Sequence, residues 1–369
     1  MTNLETAPRE VLCDDAGRDQ GGYGSVGTDG SVGTDGSTGT DGSVGPVQVL
    51  TPRDVPLGGI RAMTVRRTLP QRARSFIGAW CFLDHYGPDD VAVTGGMRVP
   101  PHPHTGLQTV SWLFSGEVEH RDSLGTHAFV RPGELNLMTA GHGISHSEDS
   151  TDATRVLHGV QLWTVLPEKD RAATPAFDHH VPPVVPLEDG TLRVFLGELE
   201  GSRSPVPTFS PLLGAEVVLA AGAAHTFVVD PTFEHGVLVD TGSVEVHGTA
   251  GTAGELLYVP PGASTLSVRA GADGDLRMLL LGGRPLGEQI VMWWNFIGRD
   301  HAEVARAREQ WQAQIGAEHT AEAERAEEPQ RFAEPERAEE PPRFGTVVGH
   351  PQPPLPAPPI PPGELKPRG

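Results

Sequence analysis

Sixteen histidines are spread along the 369-residue chain, and two pairs of side chains stand apart from the rest. His102 and His104 are separated by one residue, and so are His146 and Glu148. On a β-strand, residues i and i+2 point to the same face. Two such strands side by side in a small barrel would aim three imidazoles and one carboxylate at a single interior point. That donor set suits a divalent cation. It contains no thiolate, which argues against structural zinc. Nitrogen and oxygen donors with open positions fit iron(II), and also manganese, nickel or copper. Pro101 and Pro103 bracket His102 and favour extended backbone around it. The second pair follows a glycine-rich turn, Ala140-Gly141-His142-Gly143.

The elements that must position these groups read as strands. Short apolar runs at 109–114, 156–166, 192–196, 216–219, 226–229, 237–239, 256–259 and 278–281 alternate with Gly and Pro turn signals. Runs spaced about 8–12 residues apart are the mark of a β-sandwich or barrel. The pattern is duplicated. Leu113-Phe114-Ser115-Gly116-Glu117-Val118-Glu119 with Gly133-Glu134-Leu135 is echoed by Val239-Asp240-Thr241-Gly242-Ser243-Val244-Glu245 with Gly254-Glu255-Leu256. Two like barrels are expected. Counting from Gly116 and Gly133 to the two pairs, then transferring the offsets to Gly242 and Gly254, reaches Val228, Asp230, Ser267 and Arg269. The second barrel therefore has no ligand set, and one metal per chain is expected. One short helix is predicted near the C-terminus, capped by Asp300 with Glu303 at the capping-box position. Its stripe is Val304, Ala307, Trp311 and Ile315, Gly316 ends it, and it covers a barrel face.

Both ends read as disordered tails. Residues 24–45 repeat a Gly-Ser-Val-Gly-Thr-Asp unit, and a twelve-residue repeat containing Glu-Arg-Ala-Glu-Glu-Pro precedes a proline-rich C-terminus. Neither can bury enough apolar surface to offset ordering entropy. The C-terminal tail is a solvated acidic stretch or, in a sharper reading, a ligand for a polyproline-reading partner. The expected organisation is a tail over 1–46, a metal-bearing barrel over 47–180, a metal-free barrel with the closing helix over 181–316, and a tail over 317–369. A formal charge of −20 argues against a nucleic-acid or anionic-membrane binder. With only Cys13 and Cys81, no disulfide framework exists. No apolar run is long enough to span a membrane and no secretory signal is recognisable, so a cytoplasmic protein is expected.

Several segments together resemble the pirin family of the cupin superfamily. They are Met63-Thr64-Val65-Arg66-Arg67-Thr68-Leu69-Pro70, Trp80-Cys81-Phe82-Leu83-Asp84-His85-Tyr86-Gly87-Pro88, Pro101-His102-Pro103-His104-Thr105-Gly106, the run from Met138 to Glu148, and Met292-Trp293-Trp294-Asn295-Phe296. The resemblance covers roughly 48–316 and excludes both ends. It implies an all-β bicupin, iron(II) in the N-terminal barrel with Mn, Ni, Cu or Zn as substitutes, and ligand roles for His102, His104, His146 and Glu148. Pirin-like sequences often carry Glu, near the metal, at the place of Gln108, and Arg at the place of His142. Both departures bear on activity.

The resemblance permits two functions. One is a quercetin 2,3-dioxygenase acting on a flavonol-like substrate, with Glu148 serving as base while it also binds metal. The other is an iron-dependent, redox-sensitive regulatory protein that binds a transcription factor or metabolic enzyme. A monomer is expected. Trp112 and Phe114, of the same parity as His104, are expected in the pocket or in ordinary core. His85 is expected to pack or bond locally, and His120, His127 and His158 to be surface or hydrogen-bonded residues.

Overall fold

The computed structural model describes residues 45–57, 63–327 and 342–369, with side chains left undescribed over 319–327. The N-terminal repeat and most of the C-terminal repeat lie outside the described residues. In chain order, β1 (Gln48–Leu50) is followed by β2 (Arg53–Leu57), β3 (Met63–Leu69), β4 (Trp80–Asp90), a four-residue helix α1 (Val91–Thr94), β5 (Arg98–His104), β6 (Leu107–Ser115), β7 (Val118–Asp122), β8 (His127–Val130), β9 (Leu135–Thr139), β10 (Ile144–Ser150), β11 (Val156–Val165) and β12 (Ala176–His180). The second half runs through β13 (Val185–Leu187), β14 (Gly190–Leu196), β15 (Glu198–Leu199), β16 (Ser202–Arg203), β17 (Leu212–Leu219), β18 (Ala224–Val228), β19 (Glu234–Thr241), β20 (Ser243–Val246), β21 (Thr249–Thr252), β22 (Leu256–Val259), β23 (Thr265–Ala270) and β24 (Leu276–Gly283). A hairpin, β25 (Val291–Trp293) and β26 (Phe296–Gly298), leads into the helix α2 (His301–Glu327).

Each half folds as a two-sheet barrel. The first has a seven-stranded sheet in the order β12-β9-β6-β11-β4-β3-β2 facing a four-stranded sheet β5-β10-β7-β8. The second repeats the plan with β1-β22-β19-β24-β17-β14-β13 facing β18-β23-β20-β21. Period-two alternation explains why the large sheets serve two cores. On β6, Ser111 and Leu113 face their own barrel, whereas Val110 and Trp112 join Trp80, Phe195, Leu238 and Leu279 in a core between the barrels. Trp80 Nε1 donates to the carbonyl oxygens of Leu213 and Gly282 across that seam.

The chain does not split as cleanly as the 47–180 and 181–316 boundaries imply. β1 pairs with β22 of the second barrel, Val49 opposite Leu257. Conversely, the C-terminal elements return to the first barrel. β26 lies beside β5, with Thr105 bridged to Phe296. Gly106, at positive φ, brings its backbone close enough that a Cβ would stand 2.5 Å from the Ile297 carbonyl oxygen.

Asp300 caps α2 through a 2.7 Å hydrogen bond from the Glu303 N–H, and Val304, Ala307, Trp311 and Ile315 are buried as the stripe requires. The helix does not stop at Gly316 but runs on to Glu327. The stretch beyond it is rich in Ala and Glu, good helix formers, and one exposed glycine costs only about 1 kcal/mol.

Nor is the C-terminal stretch a free tail throughout. Over 342–369 it packs along α2 and the first barrel. Phe344, Ala357 and Leu365 are buried with Trp293, Phe296 and Trp311. Trp311 Nε1 donates to the Leu355 carbonyl oxygen, the Leu355 N–H to Pro101 O, and Ser145 Oγ to the Phe344 carbonyl. Proline-rich chain cannot pair with itself as a sheet, but it can lie in a groove that other elements build.

Candidate metal centre

The ligand-bearing strands are neighbours in the four-stranded sheet. β10 pairs with β5 so that His146 stands opposite His102 and Ile144 opposite His104. β5 is the edge strand, which tolerates Pro100, Pro101 and Pro103 without loss of ladder donors. An irregularity in register there, Glu148 opposite Val99 and His146 opposite His102, bends the strand around the site.

All four side chains are buried. The His104 and His146 Nε2 atoms lie 3.1 Å apart, and the ring centroids of His102 and His146 are 4.3 Å apart. His102 Nδ1 must donate its proton to the Pro100 carbonyl oxygen, 2.9 Å away. Its Nε2 is then a bare lone pair, buried and without a hydrogen-bond partner among the described residues. A buried lone pair with no donor to accept from is costly unless something cationic sits beside it. The donor atoms of His102, His104 and His146 lie within 4.8 Å of one another, as do those of His120, His146 and Glu148. Burial pushes the His102 imidazole down to about 3. Burial, reinforced by the neighbouring rings, holds His104 and His146 well below the ordinary range. The three imidazoles are therefore neutral near pH 7, the form that binds metal.

Ser111 and Gln161 back the carboxylate. The Ser111 hydroxyl lies 2.9 Å from Gln161 Oε1 and 3.3 Å from Glu148 Oε1. Trp163 stands edge-on to His104 at 5.2 Å.

Of the two places expected for Trp112 and Phe114, pocket or ordinary core, the structure gives core: neither lines this site. Trp112 donates to Glu216 Oε2 at 2.7 Å, and Phe114 lies under the Arg277 guanidinium, so both face the second barrel. Strand parity does not carry from His104 to β6, because the chain turns at Thr105-Gly106 between the two strands. Gln108 is turned away from the ligands as well. Its amide donates to Thr139 Oγ1 and accepts from Thr164 Oγ1, which ties β6 to β9 and β11. His142 is exposed, and its carbonyl accepts from Arg343. His127 is exposed and pairs with Glu119.

His85 packs on His158 and Phe114, as expected, but its bonds reach further. With His158 it reaches across the seam to Asp240, their Nε2 atoms 2.7 and 2.6 Å from the same carboxylate oxygen, while Arg277 binds the other oxygen at 2.6 Å. Burial raises the Asp240 carboxyl, but the bonds from His158 and His85 outweigh it and hold the group below the usual carboxylate range. Arg66 also faces His85. Two guanidiniums beside this second His/Asp group make it an inter-barrel ion cluster rather than a cation site.

Two cupin barrels back to back, with a His/Glu cluster of metal-binding type buried, among the described residues, in the first, define the class: a bicupin with a candidate metal centre. Comparison with known proteins makes the class specific. Residues 61–164 match the Pirin family model and residues 214–315 the Pirin C-terminal cupin domain. The chain is 45% identical over 269 residues, 72% of its length and 84% of the relative's, to a Pseudomonas aeruginosa protein named "Putative quercetin 2,3-dioxygenase PA1205". It is 35% identical over 260 residues to a pirin-like protein of Caulobacter vibrioides, covering 68% of this chain and 88% of that one. It superposes on the crystal structure of a quercetin 2,3-dioxygenase from Acinetobacter baumannii with a TM-score of 0.74 at 34% identity, covering 86% of this chain and 96% of that one. The chain belongs to the pirin family.

Proposed function

We propose that this protein is a metal-dependent dioxygenase of the quercetin 2,3-dioxygenase type, acting on a flavonol-like substrate at an iron(II) held by His102, His104, His146 and Glu148. The observation that carries the metal assignment is the orphaned His102 Nε2 beside two Nε2 atoms that face each other at 3.1 Å. The names of the relatives support the reaction class. Iron(II) there would supply Lewis acidity that lowers the pKa of a chelating hydroxyl and a redox partner for dioxygen. The chain's own part is to hold three neutral imidazoles and one carboxylate at fixed positions, and to provide the base. With Gln108 turned to Thr139 and Thr164, the carboxylate at hand is Glu148, which would take the proton of the flavonol 3-hydroxyl. The Ser111 hydroxyl, 3.3 Å from Glu148 Oε1, would help to orient that carboxylate.

The test is oxygen uptake and carbon monoxide release with quercetin on iron-loaded, anaerobically purified protein. Turnover well above that of free iron, lost in Glu148→Gln while that variant still binds iron, is the expected outcome. Properly loaded protein with no turnover ends the proposal for flavonols.

A further inference from the structure

His120 and Asp122 have the same one-residue separation as the ligand pairs, and both are buried. β7 pairs with β10 so that His120 lies opposite Glu148 and Asp122 opposite His146. His120 Nδ1 stands 3.4 Å from His146 Nδ1, and His120 Nε2 stands 3.3 Å from Asp122 Oδ2. The other Asp122 oxygen accepts from the Leu124 and Thr126 N–H groups at 2.9 and 3.0 Å, which fixes the carboxylate. The Phe177 ring packs on the far face of the His120 imidazole, centroid to centroid 4.8 Å.

The protons follow from who can donate. An ionised carboxylate only accepts, so His120 Nε2 carries the hydrogen. His120 Nδ1 is then a lone pair, and the His146 Nδ1 facing it must carry a hydrogen. His146 Nε2 is left bare and turned toward His104 Nε2. We propose that Asp122 and His120 form a two-step relay that locks the tautomer of His146 and pushes electron density onto its Nε2. They are positioning residues that set how tightly, and at what potential, the metal is held. The relay rests on the reading that the cluster holds a metal. Its absence from the second barrel is consistent: the positions equivalent to His120 and Asp122, two and four residues beyond their strand's first Val, are Val246 and Gly248.

The experiment uses the full chain and three variants, His120→Phe, His120→Asn and Asp122→Asn, loaded with iron(II). Two quantities are measured: the iron(II) dissociation constant by chelator competition, and the Fe(III)/Fe(II) midpoint potential. His120→Phe keeps a ring but removes the acceptor, and should weaken iron binding about 10–100-fold and move the potential positive. Asp122→Asn should move both in the same direction by less. His120→Asn, whose Oδ1 can accept from His146 Nδ1–H, should recover most of the affinity. Melting of the metal-free proteins separates a packing defect from lost ligand polarisation. Unchanged affinity and potential in His120→Phe and Asp122→Asn would overturn the relay. So would an equal loss in His120→Asn, which would mean packing alone, or complete loss of iron from His120→Phe, which would make His120 a ligand itself. Should His120→Phe not fold, Asp122→Asn decides. Iron that fails to bind the unaltered chain would overturn the metal centre, and the relay with it.

Discussion

The two barrels share a strand plan and fill it with opposite chemistry. Where β5 and β10 turn His102, His104, His146 and Glu148 inward, the second barrel turns in Phe227 of β18, Val229 just after it, and Leu266 and Val268 of β23. The equivalence follows from pairing. Ser150 faces Val118 two residues after Gly116, and Ala270 faces Val244 two residues after Gly242. Counting inward puts Val268 at the place of Glu148 and Leu266 at that of His146. Leu266 faces Phe227 as His146 faces His102, and Val229 bonds back to Ser264 where His104 meets Ile144. All four replacements are buried in the apolar core of the second barrel. The offsets counted from the turn glycines reach Val228, Asp230, Ser267 and Arg269, one residue away. A slip of one residue moves a strand's whole inward set to the other face, and Val228 is indeed exposed. The four equivalent positions are occupied by apolar core side chains, which is firmer ground than the counted offsets for expecting no ligand set at these places. One copy of the duplicated fold fills its interior with apolar side chains, and the other buries three imidazoles and a carboxylate at the same places.

The sharpest way to break this comparison is to rewrite the first interior as the second. The chain carrying His102→Phe, His104→Val, His146→Leu and Glu148→Val should lose its metal entirely by elemental analysis. Its metal-free form should unfold at higher urea than the metal-free parent, because replacing buried polar groups with well-packed apolar ones is stabilising by about 1–4 kcal/mol in comparable cases. Metal still bound one per chain would show that the site lies elsewhere. A variant that does not fold would show that the two interiors are not interchangeable and that the strand equivalence is only topological.

The barrels differ next in what covers them. α2 and residues 342–369 lie on the first, anchored by Phe344 against Phe296 and Trp311. Phe344→Ala should cost about 3 kcal/mol, at the low end for truncating a buried aromatic, since a terminal segment can release before the barrel opens. Hydrogen exchange checks it: the Leu355 and Ala357 amides should lose protection, while those of β22 in the second barrel keep theirs. Equal loss in both barrels would mean the segment is part of one cooperative unit rather than a cover on the first.

This cover was the least legible part of the chain. Its composition says that it cannot build a core of its own, which is true, but the groove it fills is made by α2 and the β25–β26 hairpin from elsewhere. The four candidate ligands were legible because one-residue spacing on a strand encodes a shared face, and that rule needs no tertiary information. His120 and Asp122 share the same spacing but were not picked out as a pair, because alone they do not differ from an ordinary bonded pair; only the β7–β10 register brings them to His146. Parity could not decide between pocket and core for Trp112 and Phe114, since it holds within one strand and the turn at Gly106 resets it. The shared partner of His85 and His158 was not legible, because Asp240 belongs to the other barrel.

The smallest effect expected concerns a lone imidazole in the second barrel. His235 on β19 is buried, and neither ring nitrogen has a hydrogen-bond partner among the described residues. Burial pushes its pKa down to about 4. A depressed histidine binds its proton more weakly in the folded chain than in the unfolded one. Folding stability therefore falls as pH drops from the unfolded value near 6.5 toward about 4. In the first barrel, neutral imidazoles of this kind can be offset by a metal; His235 has no such compensation. His235→Phe removes the proton linkage and the unsatisfied nitrogens together. It should stabilise the protein modestly at pH 7, and the gain should grow by about 2 kcal/mol on going to pH 5. Urea titrations at the two pH values read this directly. A gain that does not change with pH would mean that His235 protonates freely in the folded state, and that the second interior is wetter than its apolar lining implies.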